Sequence, residues 1–303
     1  MMPNLTTPVI AKQTPFKLDF ASGIVSLGSC FADEMGQRMQ ECDFHIECNP
    51  FGALYNPASL ASALHRLIDD NPIGKEDLVK HEGLWHSWHH HGSFSHSTPG
   101  ATLTACNSRI HRAHEVLKEA TLLMLTFGTA WVFEHEGTVV ANCHKLPPQQ
   151  FTRRRMSVEE IVALWQPLLQ ELVAYYPQLH IILSVSPIRH MANGAHGNQL
   201  SKSTLLLAVD QLVTQAERMS NSEAVCYFPS YEIILDELRD YRYFDEKMTH
   251  PTPLAVDIVW ERFQRSTMSA AIRQQAQYNM KQHKREHHIP LHPDRQIISP
   301  DRQ

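Results

Sequence analysis

Five short apolar runs set the architecture available to this chain: residues 24–27 (IVSL), 44–48 (FHIEC), 121–127 (TLLMLTF), 180–185 (HIILSV) and 224–228 (AVCYF). They are largely free of apolar/polar alternation. A strand covered on both faces has that composition, whereas a strand with one wet face alternates. Amphipathic stretches separate the runs. Phe31, Met35 and Met39 recur every fourth residue. Residues 57–68 open on Pro57, which suits a first helical turn, and 157–175 open on SVEE, a capping box. Residues 201–219 and 253–263 carry the same helical period. Strands alternating with helices predict a parallel sheet in a three-layer α/β/α sandwich, with ligands at the carboxyl ends of the strands.

Two inserts interrupt the alternation. Residues 131–135 and 138–142 flank Glu136-Gly137 and predict a small hairpin. Residues 71–107 form a stretch rich in His, Ser and Gly, long enough for a functional loop or a disordered one. Past residue 275 the chain turns polar, with the run KQHKREHH, and 276–303 is expected to be a mobile, solvated tail. No internal repeat or linker stands out, so 1–275 is expected to be one domain.

With 43% hydrophobic and 19% charged residues among 303, the chain has material for a real core. Its net charge of −5 argues against general nucleic-acid affinity, which needs a basic patch. No apolar run approaches the roughly 18 residues of a membrane span, and the first residues lack a signal-peptide pattern. The cysteines (Cys30, Cys42, Cys48, Cys106, Cys143, Cys226) are scattered without a CxxC, which fits reduced thiols and a cytoplasmic location.

The stretch IVSLGSCFADEM, residues 24–35, runs from the first apolar segment into the first helical pattern through Gly28-Ser29-Cys30. Gly28 is expected to allow a tight turn. Cys30 then falls at a strand's carboxyl end and a helix N-terminus, where free N–H groups and the helix dipole favour a thiolate. The same N–H groups suit a developing oxyanion. The plain alternative is a small residue packed under the helix. Ser29 reads first as the helix N-cap, with nucleophile as its other role.

Gly28-Ser29-Cys30-Phe31-Ala32 resembles the signature of the GSCFA family. The resemblance extends through Asn49-Pro50-Phe51-Gly52, Tyr55-Asn56-Pro57 and Leu84-Trp85-His86-Ser87-Trp88 with His90 and His91. It continues through Phe127-Gly128-Thr129-Ala130-Trp131, Asn142-Cys143-His144-Lys145, Ser186-Pro187-Ile188-Arg189-His190, Asn198-Gln199-Leu200-Ser201-Lys202 and Met248-Thr249-His250-Pro251. The family resembles a branch of the SGNH/GDSL hydrolases, which implies a flavodoxin-like sheet of strand order 2-1-3-4-5.

That resemblance implies roles by position. Cys30 takes the place of the nucleophilic serine, and Ser29 that of the aspartate before it. Gly52 takes the place of the glycine whose N–H completes an oxyanion hole with the backbone of Cys30. Ala130 stands where the superfamily keeps an oxyanion-binding asparagine, and Asn142 is a candidate replacement, with an ordinary turn asparagine as its other reading. His250-Pro251 matches the last block, which makes His250 the general base. Lys247 stands where that block keeps its aspartate; Asp245 or Glu246 could orient the imidazole instead.

Other residues are candidates for binding substrate. The segment 84–95 (LWHSWHHHGSFS) offers Trp85, His86 and His90 as a lid over the pocket. A zinc site within His86–His91, a packed flap and a disordered tract are its alternatives. Trp85 and Trp88 could pack over the catalytic corner or stack on a sugar ring, although core packing is the common fate of Trp, and Trp131 is a further substrate-binding candidate. His144, Lys145, Arg189, His190, Asn198 and Lys202, the last two placed at a helix start, suit an anionic group, against the plainer reading of solvated polarity. The expected function is acyl transfer by a Cys30–His250 dyad, acting as an esterase or thioesterase or as an O-acyltransferase. The substrate is expected to be a small molecule bearing a sugar or an anion, and no cofactor is called for. The rivals are a non-catalytic binding protein on the same fold and a metal-binding protein built on His86–His91.

Overall fold

The computed structural model describes residues 6–218 and 223–286. The chain runs β1 (Gly23–Gly28), α1 (Cys30–Glu41), β2 (His45–Cys48) and α2 (Pro57–Ile68). An antiparallel hairpin follows, β3 (Leu78–His81) and β4 (Leu84–Ser87), then α3 (Pro99–Glu119) and β5 (Ala120–Phe127). A second small sheet holds β6 (Trp131–His135), β7 (Thr138–Val140) and β8 (Phe151–Arg155). The chain continues through α4 (Val158–Tyr175), β9 (His180–Val185), α5 (Gly194–Ala216), β10 (Val225–Tyr227), the short α6 (Ser230–Glu232), α7 (Pro253–Thr267) and α8 (Ala270–Glu286).

The central sheet has five parallel strands in the order β10-β9-β5-β1-β2. Numbered along the chain, that is the order 2-1-3-4-5. The chain steps from β1 to β2 on one side and to β5 on the other. The crevice above β1 and β5 is therefore the topological switch point, where ligands bind in open α/β sheets.

The apolar runs lack alternation because both sheet faces are covered. Val25, Leu27, Leu123, Leu125 and Leu183 belong to one buried cluster with residues of α2, α3, α4 and α5. Ile24, Leu122, Met124 and Ile182 belong to the other, with residues of α1 and α7. Burying each such side chain stabilises by about 1.5–3 kcal/mol, so the sheet is the rigid base of the site. The expected capping box forms: Ser157 Oγ accepts from Glu160 N, and the Glu160 carboxylate accepts from Ser157 N.

Four expectations need correction. The stretch 71–107 is ordered, carrying the β3–β4 hairpin and the start of α3, which is capped by Thr98. Strand β8, FTRRR, joins the expected hairpin as a third strand, although its arginines hide it in the sequence. Helix α5 begins at Gly194, about two turns before the expected 201. Its opening GAHG has low helix propensity and no side-chain cap, so nothing local announced it. The supposed tail is helical as far as Glu286, with Ala276 buried and Asn279 Nδ2 donating to Cys42 O. The end of the expected 201–219 helix at Met219 and the tail beyond 286 lie outside the described residues.

Candidate active site

Strand β1 delivers the chain to the switch point. Gly28 is needed there for space rather than for a turn: a Cβ would lie 2.7 Å from Thr126 O on the neighbouring strand. Ser29 is fully buried and caps α1, its Oγ accepting from Phe31 N and donating to Ser186 Oγ at 2.9 Å. The cap reading therefore holds, and Ser29 is closed to substrate. Cys30 is the first residue of α1 and is half-buried. First-turn N–H groups have no acceptor within their own helix, so the Cys30 amide is free to face a ligand.

The Cys30 thiol opens on a cavity of about 390 Å³ whose wall includes Asp33, Asn49, Gly52, His91 and Arg109. Asn49 is the hub of one side. It is buried with a left-handed φ of 43°, its Oδ1 accepts from Gly28 N at 2.8 Å, and its Nδ2 donates to Asp33 Oδ1 at 2.6 Å. Gly52 sits at φ +74°, and a Cβ there would lie 2.4 Å from His91 Cβ. Its N–H, expected in the oxyanion hole, instead donates to Asn49 O at 2.7 Å and closes that turn. Beside the cavity, Tyr55 Oη lies 3.4 Å from Cys30 Sγ. Burial and the Cys30 contact push the Tyr55 phenol well above its ordinary range, so it stays protonated.

His250 lies in the loop before α7, half-exposed, with its Nδ1 3.5 Å from Asp245 Oδ2 and 3.0 Å from Thr249 Oγ1. Asp245 Oδ1 also accepts the amides of Thr249 and His250, bonds that hold its carboxyl below the usual range. Asp245, not Glu246, is thus the carboxylate beside the His250 imidazole. Arg189 fastens this loop to the end of β9: its N donates to Thr249 O and its guanidinium to Met248 O. His190 next to it packs edge-on against Tyr55, ring centroids 6.0 Å apart. Burial, with the charges of Lys202 and His250 nearby, brings His190 down to about 4, so it is neutral at ordinary pH. Cys30 Sγ bonds Tyr55 and not His250, whose partners lie in its own loop.

Several candidates have other work. Lys202 is buried in the ninth position of α5 and donates to Gly128 O at 2.5 Å and Ser186 O at 2.6 Å. It clamps the ends of β5 and β9 and is closed to a substrate anion; burial brings it down to about 7. Asn198, also inside the helix, takes the His190 amide on its Oδ1. Asn142 Oδ1 caps the His144 amide, so the turn reading holds, and Asn142 neither lines the Cys30 cavity nor bonds Cys30. His86 and His144 are buried and stacked at 4.5 Å, with His144 Nε2 on Ser87 O, so they hold the insert to the second sheet. His90 is fully buried against Phe51 and Ser87. Trp85 pairs with His96 through β4, Trp131 is covered by the Arg153 guanidinium at 4.3 Å, and Lys145 is exposed.

The metal reading fails on the directions of the rings. His86 turns to Ser95, His89 to Asp77, His90 to Ser87 and His91 to Ser93. Among the described residues no three of His, Cys, Asp or Glu are grouped to hold a metal. Likewise no described helix is long and apolar enough to cross a membrane. Sequence reasoning assigned no role to Asn49 or Tyr55, and to His91 only a place in the zinc alternative. The signal for the first two was their place in NPFG and YNP, directly after β2 at the carboxyl edge of the sheet.

Solved structures similar to this chain include the following three. A Streptococcus pneumonia protein provisionally described as a platelet activating factor is 10% identical, over 80% of this chain and 83% of its own, at a TM-score of 0.43. A family two carbohydrate esterase from Clostridium thermocellum, solved in complex with cellohexaose, is 11% identical over 86% of this chain and 65% of its own, at 0.40. An acetyl xylan esterase from the rumen bacterium Butyrivibrio proteoclasticus is 11% identical over 85% and 63%, at 0.39. This chain therefore spans less than two thirds of either esterase. No curated protein matches it. The family comparison is more specific: the GSCFA model matches residues 23–263, from the first residue of β1 into α7, and the chain belongs to the GSCFA family.

Proposed function

We propose that this protein is an acyl-transfer enzyme, an esterase or thioesterase or an O-acyltransferase, with Cys30 as its nucleophile. One observation carries the reading: a half-buried thiol on the first turn of α1, at the switch point of the sheet, opening on a cavity. The Cys30 thiolate attacks the acyl carbonyl, a sulfur–carbon bond forms, and the negative charge on the carbonyl oxygen faces the free Cys30 N–H. The bond to the leaving oxygen or sulfur then breaks, and a histidine returns the proton to that atom. Water, an alcohol or an amine, deprotonated by the same histidine, attacks the thioester and releases Cys30. His250 is assigned that histidine because Asp245 orients it as a base requires. Arg109, Asp33, Ser93 and His91 make the cavity wall polar, which supports a substrate carrying a sugar or an anion.

One observation favours a different base: His91, not His250, is in the wall of the Cys30 cavity. The assignment is tested by comparing His250→Gln and His91→Gln in a screen of acyl esters and acyl thioesters. The base is the residue whose loss lowers turnover by about 10²-fold or more. Turnover unchanged in Cys30→Ala would remove the reading and leave a binding protein on this fold.

A further inference from the structure

The superfamily asparagine that completes the oxyanion hole is Ala130 here, buried and without a donor side chain. Asn142 and Gly52 do not fill the gap: Asn142 neither lines the Cys30 cavity nor bonds Cys30, and the Gly52 N–H is engaged in a turn. The backbone around Ala130 serves another end. Gly128 N and Thr129 N both donate to Tyr55 O at 2.8 Å, and Ala130 N donates to Ser201 Oγ. The loop after β5 therefore grips the Tyr55 backbone. A Cβ on Gly128 would lie 3.0 Å from that same carbonyl, so the close approach favours glycine. The Tyr55 side chain, held at both its carbonyl and its ring, presents Oη at 3.4 Å from Cys30 Sγ.

We propose that Tyr55 is the missing oxyanion donor: its hydroxyl hydrogen-bonds the Cys30 sulfur in the resting enzyme and the substrate's carbonyl oxygen once that sulfur attacks. The oxygen on a carbon bonded to Sγ lies two bonds from the sulfur, so one orientation of the acyl group brings it to a donor that already touches Sγ. A hydroxyl in contact with Sγ therefore needs only a rotation of its O–H to reach that oxygen. A phenol that keeps its proton is the right donor, because a phenolate would repel the developing charge. The loop after β5 then still supports the oxyanion, as in relatives with asparagine, but through the residue it clamps. This inference rests on Cys30 being the nucleophile.

The test is Tyr55→Phe, which removes one hydroxyl and keeps the ring against His190 and the carbonyl under Gly128 and Thr129. Acylation of wild type, Y55F and C30A by p-nitrophenyl acetate and by an acetyl thioester is followed at saturating substrate, with melting temperatures measured alongside. The expected result is inactive C30A and a Y55F whose kcat falls about 10²- to 10³-fold with KM changed only a few-fold. Y55F acylating at the wild-type rate, with C30A inactive, overturns the role of Tyr55 and leaves Cys30 standing. C30A as active as wild type, or no acylation of the wild type, overturns the nucleophile and the Tyr55 role with it. A fall in Y55F kcat matched by a lost melting transition makes Tyr55 a structural residue and also overturns the proposal.

Discussion

Asp245 holds His250 through both of its oxygens: Oδ2 lies 3.5 Å from the imidazole Nδ1, and Oδ1 accepts the His250 amide at 3.1 Å. A carboxylate so placed fixes the tautomer that leaves Nε2 free to take a proton. Asp245→Asn keeps a side-chain oxygen but removes the charge. It is predicted to lower acyl transfer by about 10-fold to 10²-fold, a part of what a general base contributes. Glu246→Gln, at an exposed neighbour, should change the rate little. Steady-state rates of both variants on one ester decide the point.

Lys202 bridges two carbonyls that belong to different strand ends. Lys202→Met fills the space and removes both donors, leaving Gly128 O and Ser186 O without them. A buried acceptor left unsatisfied costs about 1–3 kcal/mol, part of it offset here by no longer burying an amine. Urea unfolding is predicted to show a net loss of about 1–3 kcal/mol. Lost affinity for an anionic substrate at unchanged fold stability would show that Lys202 binds substrate after all.

Three histidines give the fold an acid sensitivity. Burial depresses His90 to about 3 and His144 and His190 to about 4, from 6.5. Above pH 6.5 both folded and unfolded chains hold them neutral, so they contribute no pH dependence there. Below it the unfolded chain takes up protons that the folded one refuses. Stability is predicted to fall as the pH drops from 6.5 towards 4 and to level off near the folded values. Urea midpoints at steps from pH 7.5 to 4.5 should show this slope, reduced in His144→Gln. A flat profile between pH 6.5 and 5 would contradict it.

Gly28→Ala places a Cβ 2.7 Å from Thr126 O and 2.8 Å from Thr126 Cβ. Strands β1 and β5 cannot part without breaking their ladder. The predicted cost is about 1–3 kcal/mol of stability, as for overpacking elsewhere. Because Cys30 follows two residues later, acyl transfer should fall as well, which the melting temperature and an ester assay on the same sample check together.

The sheet was legible because burial on both faces writes itself into sequence as unbroken apolar runs, and the resemblance supplied the strand order. The Ser29 cap and the Ser157 box were legible because both are local hydrogen-bond patterns. The fate of Lys202 was not: a lysine's burial is decided by carbonyls at positions 128 and 186, far away in the chain. Gly28 was singled out for the wrong reason, since the crowding comes from Thr126 on another strand. His91 was passed over because four histidines within 86–91 look alike until the β3–β4 hairpin sends each ring a different way.

The central claim is a covalent acyl group on Cys30. Intact-protein mass spectrometry of wild type, quenched in acid soon after mixing with an activated acyl ester, measures it directly. The account predicts one added acyl group, located on Cys30 by peptide mapping, released on further incubation and absent from Cys30→Ala. Turnover of the ester with no acylated protein at any time, or an acyl group carried only on another residue, would contradict it.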